Sequence, residues 1–161
     1  MKTLAAIFSL IVLTVANDLA TLRQKFISAP ESAKVTEELY SLVEKVSDDS
    51  SDNTVVAYKA AALTLRAKHE KGLMNKKNLF KQGATLLEEV LKRDADNYEA
   101  HVLRLSIQEN APAITGYHGQ IENDKKFIIK YYSSQKADLK AFTQGFVKIS
   151  KSFTKEEKAS F

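Results

Sequence analysis

The sequence predicts an all-α protein: antiparallel helix pairs, stacked as a solenoid or gathered into a compact bundle, with about seven helices behind an N-terminal signal peptide. Three observations predict it. Apolar residues recur at spacings of three and four along most of the chain, without the strict alternation of a half-buried strand. Lys, Glu, Ala and Leu, all good helix formers, dominate, while five Gly and two Pro are too few for a sheet protein with many tight turns. Finally, Leu42-Val43-Glu44-Lys45-Val46 stands before Asp52-Asn53 as Leu86-Leu87-Glu88-Glu89-Val90 stands before Asp96-Asn97, at a constant offset of 44 residues. A fixed offset in this range is the mark of stacked helix pairs.

The chain opens as an address. Lys2 supplies a positive start, Leu4 to Val15 is almost continuously apolar, and Thr14-Val15-Ala16 has the small residues a signal peptidase prefers. The apolar run is too short to span a membrane, which takes about 20 residues. Residues 1–16 are therefore expected to be a cleaved signal peptide, with no stable membrane insertion afterwards. The mature protein is expected to be exported, to a periplasm or outside the cell.

Residues 17–149 read as one helical domain. The first helix runs from about Asp18 to Ile27, with Leu19, Leu22, Phe26 and Ile27 on one face. Pro30 is placed in the first turn of the second helix, where a missing N–H costs nothing, and Val35, Leu39, Leu42, Val43 and Val46 form that helix's stripe. A polar break, 47–53, leads to a third helix, about Thr54 to Glu70, whose alanines admit a close neighbour, and Gly72 is read as its terminator. The fourth spans about Lys76 to Arg93. Asp96 and Glu99 have the spacing of a capping box for the fifth, which ends near Glu109. Ile121 to Tyr132 and Ala137 to Ile149 are the sixth and seventh, and residues 150–161 are expected to be a charged, frayed tail.

Composition excludes several classes of function. With no cysteine there is no disulfide framework, thiol nucleophile, thiolate metal site or lipidated cysteine. The net charge of +4 falls to +3 once Lys2 is removed, and the signs are interspersed. Lys68, Lys71, Lys76, Lys77 and Lys81, like Lys125, Lys126 and Lys130, are read as solvated helix faces, since no aromatic platform alternates with them as single-strand binders require. No nucleic-acid partner is expected. There is no phosphate loop, dinucleotide fingerprint or nucleophile elbow. Paired carboxylates such as Glu37/Glu38 and Glu88/Glu89 lie beside lysines, as solvent-facing ion pairs do. Neither catalysis nor a cofactor is expected.

Leu87-x-x-Val90-Leu91-x-x-Asp94-Ala95-Asp96-Asn97-x-Glu99-Ala100 resembles the junction between adjacent tetratricopeptide repeats, and Gly83 stands where that family places a small residue. Ala95 replaces the usual proline, and the offset of 44 exceeds the usual length. The resemblance implies a tetratricopeptide-like solenoid and supplies no binding residues. The stretch from Arg104 to Ile128 is also similar to exported bacterial proteins of uncharacterised function, which implies a bacterial envelope.

The most unusual segment is the loop Asn110 to Gln120, which holds Pro112, Gly116, Tyr117, His118 and Gly119. Long loops in compact domains often carry function; the plainer reading is a connector with Ile114 and Tyr117 tucked beneath the helices. His118 and Glu122, four apart, with Asp124 nearby, fall short of a full ligand set, so no metal is expected. Phe127, Tyr131 and Tyr132 are read first as core. The leading expectation is a non-catalytic protein-interaction or scaffold module that binds a protein or peptide through its concave helix surface and Arg104, Gln108, Tyr117 and His118. The alternative is a helical bundle carrying a small apolar ligand such as a lipid, lined by Phe127, Tyr131 and Tyr132. The oligomeric state is left open.

Overall fold

A computed structural model describes residues 18–161; the expected signal peptide lies outside them. The described chain is all helical: α1 (Leu19–Ser28), α2 (Ala33–Val43), α3 (Asn53–His69), α4 (Leu73–Arg93), α5 (Tyr98–Asn110), α6 (Ile121–Tyr131), α7 (Ala137–Ile149) and the single turn α8 (Lys155–Lys158). None of these helices is long and apolar enough to cross a membrane.

The helices sort into two layers. The odd-numbered helices form the inner one, α3 packing on α1 and α5, and α5 on α7. The even-numbered helices lie outside, α2 and α4 on α3 and α6 on α5. The inner layer then closes on itself: Arg23 of α1 is bonded to Asp138 of α7 at 2.7 Å, and the Phe26 and Phe142 rings meet edge to face at 6.3 Å. The face expected to be concave and open to a partner is therefore occupied by the protein's own side chains.

Composition explains these positions. α3 is enclosed on all sides, and Ala57, Ala60, Ala61, Ala62 and Ala67 leave its neighbours room to approach. The tightest approach is at Gly83 of α4, where a Cβ would stand 2.5 Å from the Ala60 carbonyl oxygen, well inside van der Waals contact. The two Asp-Asn junctions meet at one end of the molecule. Asn97 donates to Thr54 Oγ1 and to Asp94 Oδ2, both at 3.0 Å, which sets the starts of α3 and α5 side by side.

Several boundaries differ from expectation for local reasons. Pro30 lies in a separate 3₁₀ turn, Ala29–Glu31, and α2 starts after it, capped by Ser32. Gly72 precedes α4 instead of closing α3, so α4 begins at Leu73 and reaches 21 residues. The α5 cap is Asn97, whose side chain accepts from Ala100 N; Glu99 turns into the interior. The expected repeat is thus one residue out of step at its caps, Asp52 opening α3 and Asn97 opening α5.

The tail departs most from expectation. Residues 150–161 fold back across α6 and α7 rather than fraying. Phe153 is buried against Phe146 and Phe161, Ser150 and Ser152 donate to Glu109 at 2.6 and 2.8 Å, and Tyr132 donates to the Phe161 carbonyl. A capping box of Thr154 and Glu157 sets α8. The tail's charge suggested solvation, but its two phenylalanines outweigh it.

Candidate functional site

The four expected contact residues do come together, but facing inward. Arg104 sits on α5 and grips Asp124 of α6 with a two-pronged fork, Nε to Oδ2 at 2.8 Å and Nη2 to Oδ1 at 2.7 Å, while Nη1 reaches Glu88 of α4 at 2.8 Å. Tyr117 donates its hydroxyl to the other Glu88 oxygen at 2.6 Å and sets its ring edge on Phe80. One turn along α5, Gln108 is buried, and its Oε1 accepts from Gln120 N at 3.1 Å. His118 Nδ1 donates to the Gln108 carbonyl at 2.9 Å, and its Nε2 is enclosed with no hydrogen-bond partner. The polar groups expected to greet a partner thus tie the 110–120 loop and α6 onto α4 and α5. Burial alone would lower the Arg104 pKa, but its partners, Asp124 first and then Glu88 and Tyr117, together more than offset it and hold it above the ordinary arginine value. Burial, and then Glu88, raise the Tyr117 hydroxyl far above the ordinary phenol. Of the loop's apolar residues, Tyr117 is half-buried, whereas Ile114 stands 97% exposed rather than tucked in.

Asp124 explains why His118, Glu122 and Asp124 do not converge. It is fully buried beneath Arg104 and His101, whose Nδ1 donates to it at 2.6 Å. Among the described residues no group of three or more His, Asp or Glu side chains is placed to hold a metal ion. The aromatic candidates pack within the protein: Phe127 stacks on His101 at 3.9 Å and touches Tyr131, while Tyr132 lies against Phe161.

A second buried node was not foreseen. Arg23 donates Nε and Nη2 to the two Glu99 oxygens at 2.7 and 2.8 Å, and Tyr58 donates its hydroxyl to Glu99 Oε1 at 2.6 Å. With Asp138, this cluster takes one residue from each inner helix. The Glu99 hydrogen bond raises the Arg23 pKa, outweighing desolvation, and burial, then Glu99, raise the Tyr58 hydroxyl well above its usual value.

Accessible chemistry lies instead on the outer layer, in an open cleft of about 490 Å³ between α2, α3 and α4. Tyr40, Leu63 and Leu86 provide its apolar surface, and Asp48 and Lys59, paired at 2.7 Å, close one end. Along α4 its wall is a polar stripe: Asn78, Gln82, Thr85 and Glu89, spaced four, three and four apart and so on one helix face. None of these side chains has a hydrogen-bond or ion-pair partner among the described residues. The spacing was visible in the sequence, as a face about a quarter turn from Leu79, Leu86 and Val90, but nothing there distinguished it from ordinary solvated surface. A smaller cleft, about 320 Å³, lies over the Arg104 node between Glu88, Lys92, His101 and Gln120.

Comparison of the chain with protein-family models, with curated proteins and with solved structures finds no match.

Proposed function

We propose that the protein is a non-catalytic interaction module that binds an extended segment of a protein or peptide in the cleft between α2 and α4. The unpartnered stripe Asn78, Gln82, Thr85 and Glu89 beside Tyr40 and Leu63 carries this reading. Carboxamides both donate and accept, so Asn78 and Gln82 can satisfy the N–H and C=O of a peptide main chain, while the apolar residues receive a side chain. Export is part of the proposal and rests on the Met1–Ala16 pattern. The tetratricopeptide likeness is retained in the same way, supported by the alternation of inner and outer helices. A lipid carrier is less well supported, because the rings that would line its cavity pack on His101 and Phe161.

Affinity selection of a displayed random-peptide library against the domain tests the reading. Enriched peptides should bind Asn78→Ala/Gln82→Ala roughly tenfold more weakly, the effect of about one net hydrogen bond, and bind Ile114→Ser unchanged. Absence of enrichment, or peptides indifferent to the double replacement, would sink it.

A further inference from the structure

The start of α4, just before Asn78 and Lys81 of the cleft wall, carries two exposed aliphatics that the cleft does not use. Residues 71–78 are exposed without interruption, so the first turns of α4 stand clear of the other helices. At their tip Leu73 is 84% and Met74 68% exposed. Two neighbouring aliphatics presented to solvent at a helix start gain nothing from the fold. Around them positive charge is in excess: from Arg66 to Lys81 there are six Lys or Arg and a single carboxylate, Glu70. Arg66 and Lys68 are paired with Glu37 and Glu31, but Lys71, Lys76, Lys77 and Lys81 have no carboxylate within 4.0 Å among the described residues. The Glu70 carboxylate accepts from Gly72 N instead. At the far end of the same helix pair Asp48 and Asp49 are paired with Lys59 and Arg93, so no comparable run of unpaired charge stands there. Ile27, 60% exposed, belongs to the basic end, since His69 at the close of α3 meets Ala29.

We propose that this tip is a docking surface for an anionic lipid bilayer. Leu73 and Met74 enter the boundary between headgroups and acyl chains, and the lysines rest among the lipid phosphates. The composition favours this occupant. All four unpaired cations are lysines, suited to a diffuse negative surface, whereas phosphate recognition in nucleic acids or phosphopeptides favours the arginine fork. The apolar residues at the tip are flexible aliphatics, without the aromatic planes that stack on bases. Weak membrane binding becomes stable when an apolar insertion and a basic patch act together, and here both occupy one helix start. This docking does not depend on the proposed peptide binding.

Co-sedimentation of the domain, residues 17–161, with vesicles tests the proposal; residues 18–161 close the core among themselves, and the apolar 1–16 segment would bind lipid on its own. The domain should sediment with vesicles of phosphatidylcholine and phosphatidylglycerol in equal parts, should not sediment with phosphatidylcholine alone, and should release as salt rises. Leu73→Asp/Met74→Asp should abolish binding. Each of Lys71→Gln, Lys76→Gln and Lys77→Gln should weaken it roughly fivefold, and Ile114→Asp, which alters an equally exposed aliphatic elsewhere, should leave it intact. All these positions are exposed, and unchanged thermal melts confirm that the variants fold. Equal sedimentation with both vesicle types, insensitivity to Leu73→Asp/Met74→Asp, or binding to polyglutamate but not to vesicles would each overturn it, the last in favour of an acidic protein partner. Peptide selection through Asn78 and Gln82 should be unaffected by the Leu73 and Met74 replacements, so either reading can fail alone.

Discussion

Arg23 and Arg104 make nearly the same bonds in two different places. Each grips one carboxylate with a two-pronged fork and reaches a second carboxylate with its remaining nitrogen, and each node includes a tyrosine hydroxyl. The Arg104 node joins partners 16 and 20 residues away and secures α6 and its loop to the adjoining helices. The Arg23 node joins partners 76 and 115 residues away and fastens the first helix to the last of the inner layer. Identical chemistry thus serves local assembly in one case and closure of the whole array in the other. Both lie on α5, through Glu99 and Arg104, which makes that helix the hinge between the two tasks.

The largest expected effect is at Asp124, which accepts from both Arg104 and His101 while fully buried. Asp124→Ala leaves the Arg104 fork without its acceptor, and denaturant melts should show a loss of about 3–5 kcal/mol. A loss below 1 kcal/mol would mean that the loop and α6 are held by packing alone. Arg23→Met strands Glu99 against Tyr58 and should cost nearly as much. The comparison sharpens with the triple replacement Arg23→Met/Tyr58→Phe/Glu99→Leu: removing both charges and the Tyr58 hydroxyl that bonds to Glu99 should recover most of the stability, because apolar groups of similar volume replace buried ion pairs well. The corresponding pair Arg104→Met/Asp124→Leu should recover less, since His101, Glu88 and Tyr117 are left behind. Equal recovery at both nodes would erase the distinction.

The smallest effect concerns acid. The Arg23 hydrogen bond, and then the backbone N–H of Leu139, hold the Asp138 carboxyl below the ordinary carboxylate value. A carboxylate whose pKa is lowered on folding adds stability above its unfolded value and loses it as pH falls through the folded one. The wild-type melting temperature should therefore drop in the acid range below the ordinary carboxylate pKa, and Asp138→Asn should lessen that part of the drop. If both proteins follow the same acid limb, the Arg23–Asp138 bond contributes nothing to closure. Asp138 is exposed, so the change is expected to be small.

Periodicity made the helices legible. Leu39 and Val43, and Leu86, Leu87 and Val90, are core residues as their spacing requires, and the all-helical class follows from such stripes. What failed to show was whatever depended on a distant partner. Glu99 has the local spacing of a capping residue, yet its fate is decided by Arg23, 76 positions earlier. Arg104, Gln108, Tyr117 and His118 were recognised as a group, because polar residues beside an irregular loop stand out. Whether they face a partner or each other is decided by Asp124 and Glu88, and no local pattern carries that information. The unpartnered stripe on α4 was missed for the converse reason. A free polar side chain and an engaged one have the same letter in the sequence.

The bond between Arg23 and Asp138 also bears on how the protein comes apart. In an open array each helix pair touches only its neighbours, so end units can melt singly and new units can be added at either terminus. Here the first and last inner helices are joined by that bond and by the buried Phe26–Phe142 contact, so among the described residues neither is a free end unit that can peel away alone. Unfolding is expected to be a single cooperative event across α1 to α7. The same closure fixes the number of units, because inserting another pair would separate Arg23 from Asp138.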